Sequence, residues 1–213
     1  MRWLLRTFGS SIGKKLLMAI TGLSFIGFLA AHLAGNLSLY KGGTAFNAYA
    51  EKLHALGPIL TIFEFGLLTF ALIHVTFGSI LFVQNLKARS VPYELDRRAG
   101  GRTWSSVTMP YTGFIIVAFV IFHLINFSFT DKTQRTIFEI VSAAFANPVY
   151  VIVYVLVMVV VALHARHGFW SAFQTIGANH PKYMPVIMAL SIIVSLIFGF
   201  GFGLLPIYIW AAN

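Results

Sequence analysis

Five long apolar runs, separated by short polar gaps, organise this chain of 213 residues. They lie at about 16–39, 58–83, 107–129, 148–165 and 185–210. A bilayer core about 30 Å thick needs about 20 apolar residues of helix, so each run is long enough to cross or nearly so. The runs are continuous, whereas a membrane barrel shows alternating segments of about ten residues. The pattern therefore predicts an all-α membrane protein with five transmembrane helices. Pro58, Pro110 and Pro148 fall near the starts of three runs, where the first helical turn tolerates proline. The gaps are too short for a soluble domain, and the linear reading finds neither an internal repeat nor a phosphate-binding glycine loop. Gly199, Gly201 and Gly203 look like a nucleotide fingerprint, but no strand precedes them, and glycines in a membrane helix permit close packing.

Composition agrees with this reading. The chain is 58% hydrophobic and 10% charged, with a mean hydropathy of +0.83, against roughly 25% charged in a soluble domain. A net charge of +9 raises the possibility of nucleic acid, but the positive residues occupy gaps between apolar runs and form no basic face. Counted by side, eleven Lys and Arg lie with the N-terminus and the second and fourth gaps, against four (Lys41, Lys52, Lys132, Arg135) opposite. The positive-inside rule then puts the N-terminus in the cytoplasm and the C-terminus outside. The first run begins after basic residues like a signal peptide, yet it is too long and contains His32 and Asn36, so it reads as a retained span. With no cysteine, disulfides, iron–sulfur ligation and covalent haem attachment through C-x-x-C-H are excluded.

Seven histidines accompany only six carboxylates, and four of them lie deep in different spans: His32, His74, His123 and His164. Measured from Leu16, Pro58, Val107 and Pro148, each is sixteen residues in, or about 24 Å along its helix. Successive spans run in opposite directions. His32 and His123 therefore form an outer layer, and His74 and His164 an inner one, very roughly 15–20 Å apart. Two imidazoles on facing helices match the axial ligation of haem iron, so the bundle is expected to enclose two b-type haems. Gly35, Gly78 and Gly168 share a helix face with three of the histidines, leaving room for a flat macrocycle, while Asn126 takes that place after His123. A binuclear metal site would need the histidines clustered and accompanied by carboxylates.

The remaining polar residues have lesser expected roles. His167 reads as a haem propionate partner or an interfacial residue, and His54 and His180 as solvated loop residues. Glu64 lies inside the second span, and an intramembrane acid points to function. Together with Glu51 and Asn36 it forms a candidate quinone or proton site near the outer layer. Tyr40, Trp104 and Trp210 read as interfacial anchors in contact with membrane lipid.

Several ordered motifs carry a resemblance: S-I-G-K-K-L-L-M-A-I-T-G at 11–22, H-L-A-G-N-L at 32–37, F-N-A-Y-A at 46–50 and E-F-G-L-L-T-F-A-L-I-H at 64–74. Further on come M-P-Y-T-G-F-I-I-V-A-F-V-I-F-H-L at 109–124 and H-A-R-H-G-F-W-S-A-F-Q-T-I-G at 164–177. In this ordered set the chain resembles the diheme cytochrome b membrane anchors of succinate:quinone oxidoreductases, over nearly its whole length. The resemblance implies an outer haem held by His32 and His123 and an inner haem held by His74 and His164. It also implies a flavoprotein and an iron–sulfur subunit on the cytoplasmic face of the inner (cytoplasmic) membrane, docked near the basic loop at 87–102, and a quinone as diffusible substrate, with menaquinone favoured. No succinate-oxidising site is expected on this chain. The rivals are a cytochrome b subunit of a hydrogenase or formate dehydrogenase, and a haem-free proton-coupled transporter.

Overall fold

A computed structural model describes residues 9–87 and 104–213. Among them the chain is helical, without strands, in seven helices: α1 (Ser11–Asn36), α2 (Gly43–His54), α3 (Pro58–Lys87), α4 (Trp104–His123), α5 (Ile137–Phe145), α6 (Pro148–Thr175) and α7 (Met184–Ala212). A 3-10 turn at Leu37–Lys41 extends α1, and a π turn at Leu124–Ser128 extends α4. Five helices are long and apolar enough to cross a membrane, namely Ser11–Lys41, Pro58–Lys87, Ser105–Ser128, Pro148–Thr175 and Met184–Ala212. The chain is thus a multi-pass membrane protein, as its hydropathy predicts.

Two boundaries differ from the prediction. The fourth span was expected to end near residue 165 but continues to Thr175. There the helix becomes amphipathic: Arg166 is exposed while His167 and Ala172 are buried. A hydropathy window cuts such a segment short, although its helical face is intact. Pro110 lies within α4, six residues after Trp104, and not in a first turn. A mid-span proline frees a backbone carbonyl one turn earlier, and here that turn lies at the polar end of the span. Pro58 and Pro148 do open α3 and α6, with Asn147 capping α6 by accepting from the Val149 N–H at 2.9 Å.

The four histidine-bearing helices form a ring. α1 packs against α3 and α6, and α4 packs against α6 and only slightly against α3. α3 contributes no fully buried residue, so the ring is loose at that corner. α1 and α4 face each other diagonally across the ring, as do α3 and α6. α7 lies outside it, making its broadest contact with α6. Gly199 and Gly201 let α7 approach closely: a Cβ at Gly201 would meet the Leu33 side chain at 2.6 Å, and one at Gly199 would meet Ala162 Cβ at 3.2 Å. That is the packing role expected for these glycines.

Both short helices sit at one end of the ring. Gly57, at φ +53°, lets the chain turn from α2 into α3 in a backbone region that favours glycine. The Phe138 N–H, in the first turn of α5, donates to Asn47 Oδ1 of α2 at 3.0 Å. α5 also carries a capping box. Thr136 Oγ1 accepts from the Glu139 N–H at 3.3 Å, and the Glu139 carboxylate accepts from the Thr136 N–H at 2.7 Å. These hydrogen bonds hold the Glu139 carboxyl below its ordinary value. A depressed carboxyl stabilises the fold above its unfolded pKa and loses that contribution as pH falls through the folded one. The protection of the first-turn amides of α5, measured against their intrinsic exchange rate at each pH, is therefore expected to fall severalfold on acidification below about pH 4. Thr136→Ala should lower the same protection at neutral pH; unchanged protection in the variant contradicts the cap.

Candidate functional site

The four span histidines occupy all four helices of the ring, and they pair along its diagonals. His32 of α1 and His123 of α4 lie with ring centres 6.0 Å apart and planes nearly perpendicular, at 86°. An imidazole nitrogen sits about 2 Å from a metal that it ligates. Adding about an ångström from nitrogen to ring centre on each side, a metal shared by two imidazoles would set their centres about 6 Å apart. The His32–His123 separation is close to that distance. Phe28 stacks on His32 at 5.3 Å, Phe119 and Phe127 lie 5.9 and 5.2 Å from His123, and Phe202 of α7 lies 5.7 Å from His32. This pair thus lies in an aromatic box, toward the α2 and α5 end.

Toward the opposite end, His74 of α3 and His164 of α6 are half-buried and lie within electrostatic range of one another. Each is hydrogen-bonded by a threonine on an adjacent helix. Thr21 Oγ1 of α1 is 3.0 Å from His74 Nδ1, and Thr112 Oγ1 of α4 is 3.0 Å from His164 Nδ1. Glycines follow both threonines. A Cβ at Gly22 would stand 3.3 Å from His74 Cε1, and one at Gly113 would stand 3.5 Å from His164 Cε1. On α1 and α4 alike, eleven residues separate the threonine from the outer histidine, or about 16 Å of rise. The expected two layers are thus present at the expected spacing.

The threonines and the Gly22 and Gly113 positions were missed by the linear reading, yet a signal for them exists. M-x-x-T-G-x9-H-L occurs at 18–33 and again at 109–124, and P-x15-H-x3-G occurs at 58–78 and 148–168. The chain does contain an internal repeat, offset by 91 residues over α1 and α4 and by 90 over α3 and α6. Low identity between the apolar positions hides it. Equivalent residues meet across the ring: His32 with His123, His74 with His164, and Asn47 with Phe138. Such self-meeting marks a two-fold axis, and an offset of two spans keeps the halves parallel, so the axis runs along the membrane normal.

The glycines expected to leave space for a macrocycle are not equal. The side of Gly168 is open, Gly78 faces the Met18 methyl at 3.5 Å, and the space at Gly35 is filled by the Tyr49 ring. Near His123, the Asn126 amide and the Tyr154 hydroxyl face each other without a well-formed hydrogen bond. His123 Nδ1 is also buried without a partner. His167 is buried, edge-on to Trp170 at 4.9 Å, with Nδ1 unpartnered. His54 ends α2 and is helical, contrary to its expected loop position, because its ring returns to the Ala50 carbonyl at 2.8 Å. His180 lies exposed in a turn.

Glu51 and Glu64 are exposed on α2 and α3, while Asn36 donates to the His32 carbonyl at 2.8 Å. No hydrogen bond among the described residues unites the three. Tyr40 packs against Tyr208 at 4.7 Å, and both are exposed, as is Trp210, which suits an interfacial belt. The Trp104 side chain and the basic loop beyond Lys87 lie outside the described residues. Among those described, no three His or carboxylate side chains converge on a point. Comparison with protein-family models, curated proteins and solved structures gives no match, so the site is read from its own chemistry.

An unpartnered buried hydroxyl costs about 1–3 kcal/mol, whereas deleting a buried aromatic ring costs about 3–5 kcal/mol. Tyr154→Phe is accordingly expected to keep or raise the unfolding temperature in detergent, and Tyr154→Ala to lower it. A marked loss of stability in Tyr154→Phe contradicts the unpartnered assignment.

Proposed function

We propose that this chain is a membrane-anchor cytochrome b. In this reading it passes electrons between a succinate/fumarate flavoprotein–iron–sulfur unit and membrane quinone through two bis-histidine haems. The observation that carries the reading is the 6.0 Å separation of the His32 and His123 rings across the bundle diagonal. A two-histidine centre with no third His or carboxylate among the described residues would leave most of a metal's coordination sphere to be filled from elsewhere, and a porphyrin supplies four donors. The loose corner between α3 and α4 suits a bulky prosthetic group entering between helices.

Bound haem supplies a reversible one-electron couple in place of any redox-active side chain. The chain's own task is positional. His32 and His123 would hold the outer iron, with Phe28, Phe119, Phe127 and Phe202 excluding water around it. His74 and His164 would hold the inner iron, steadied by Thr21 and Thr112. Burial keeps all four imidazoles out of water, where a neutral ring can ligate. About 16 Å of helix rise separates the two histidine layers. His167, one turn from His164 and buried with a free ring nitrogen, suits an inner propionate. Glu64, Glu51 and Asn36, all near the outer end, remain the candidates for quinone or proton handling.

The partners and the quinone rest on the ordered motifs at 11–22, 32–37, 46–50, 64–74, 109–124 and 164–177. The excess of Lys and Arg with the N-terminus supports a cytoplasmic docking face in the cell's inner membrane. A proton-coupled transporter also tolerates repeats, but its relay needs a continuous chain of polar groups. Here aromatic and aliphatic residues fill most of the turns between the two histidine layers, and the Ser24 and Thr69 hydroxyls there donate to carbonyls of their own helices.

The test is a reduced-minus-oxidised spectrum of the purified complex with single histidine variants. Two b-type components are expected in the parent. His74→Ala or His164→Ala should lose one of them, and His32→Ala or His123→Ala the other. Retention of both at full content in every variant overturns the ligand assignment. Copurified flavin and iron–sulfur protein support the complex; copurified nickel or molybdenum assigns the chain to another respiratory enzyme.

A further inference from the structure

We propose that Thr21 and Thr112 are a matched pair of positioning residues, one from each half of the repeat, that fix the tautomer of the two inner histidines. The proposal rests on the bis-histidine reading and extends it to groups that never touch the iron.

A threonine hydroxyl has one hydrogen to donate and two lone pairs to accept with. Thr21 Oγ1 lies 2.7 Å from the Leu17 carbonyl and 3.3 Å from that of Met18. Thr112 Oγ1 lies 3.1 Å from the Thr108 carbonyl and 3.0 Å from that of Met109. Carbonyls only accept, so each hydroxyl hydrogen is committed to its own helix. Toward the imidazole, 3.0 Å away in both cases, each hydroxyl is left as an acceptor. His74 and His164 must therefore donate from Nδ1–H, and their Nε2 atoms carry the lone pairs. Nε2 is then the ligating nitrogen, with an orienting partner on the other nitrogen, as is usual for metal-bound histidine.

The geometry appears twice by construction. Gly22 and Gly113 both face the His rings: an added Cβ at Gly22 would stand tight against His74 Cε1 at 3.3 Å, and one at Gly113 would reach ordinary contact with His164 Cε1 at 3.5 Å. Thr21 is buried at 2% exposure, while Thr112 and the two inner histidines are half-buried. In the outer pair His123 has no such device, since its Nδ1 is unpartnered. An Nδ1–H donor bond makes the imidazole a more basic ligand and favours ferric over ferrous iron. Loss of the hydroxyl should thus act on the inner haem and spare the outer one.

The experiment uses the full chain in its native complex, with Thr21→Val and Thr112→Val as near-isosteric losses and Thr21→Ser and Thr112→Ser as hydroxyl-retaining controls. Haem content and the midpoint potential of each b component are read by redox titration. Each valine variant should retain the outer component unchanged and shift the inner one to higher potential. The serine variants should return to the parent value. Loss of the inner component alone in the double valine variant also supports the proposal. It is overturned if both potentials stay at the parent values in the valine variants, if both move together, or if serine behaves like valine. A parent complex with no b-type spectrum removes the haem reading itself, a different failure from two haems indifferent to the threonines.

Discussion

Four imidazoles set inside an apolar ring of helices each need a partner that neither lipid nor water provides, and this requirement organises the rest of the molecule. A polar ring buried without a hydrogen bond or ligand is costly. Each histidine sits on a diagonal of the ring, opposite its repeat-related counterpart, so that whatever satisfies one nitrogen can satisfy two. The inner pair meets part of the requirement through Thr21 and Thr112. The outer pair meets it by stacking among aromatic rings while His123 Nδ1 stays unpaired. The remaining ring nitrogens are what a pair of metal centres would take up.

Repetition explains why the arrangement is economical. A unit of span, short helix and span, used twice in parallel, places equivalent side chains face to face around an axis along the membrane normal. His32 meets His123, and Asn47 meets the backbone of Phe138, because each pair is one position seen twice. The fifth span falls outside the symmetry. It lies against α6, bringing Phe202 to the outer site and sealing one flank, with Gly199 and Gly201 allowing the approach. Among the described residues the corner between α3 and α4 has no such cover and is the least packed side of the ring.

Much of this was legible in the amino-acid sequence because a membrane simplifies the code. Span number follows from run length, and the two layers follow from counting sixteen residues into antiparallel helices. The diagonal pairing emerged from depth alone and survives in the fold. What was illegible depended on rotation about a helix axis. Gly35 shares a face with His32, yet its space is occupied by Tyr49, a residue from a separate helix. Gly22 and Gly113 face histidines that lie about fifty residues away in the chain. The end of α6 was missed because Arg166 and His167 lower hydropathy without ending the helix. The repeat was missed because its signature is a handful of polar and glycine positions within apolar residues that drift freely.

The proposed electron path joins these parts: two layers of paired imidazoles, each held from diagonal helices, with the cytoplasmic partner serving the inner layer and quinone the outer. Its central claim is that each layer holds one haem. The most direct test is the haem-to-chain ratio of the purified protein, measured as extractable haem against quantitative amino-acid analysis. The account expects two non-covalent b-type haems per chain, both six-coordinate and low-spin. A fully folded chain that carries none contradicts it.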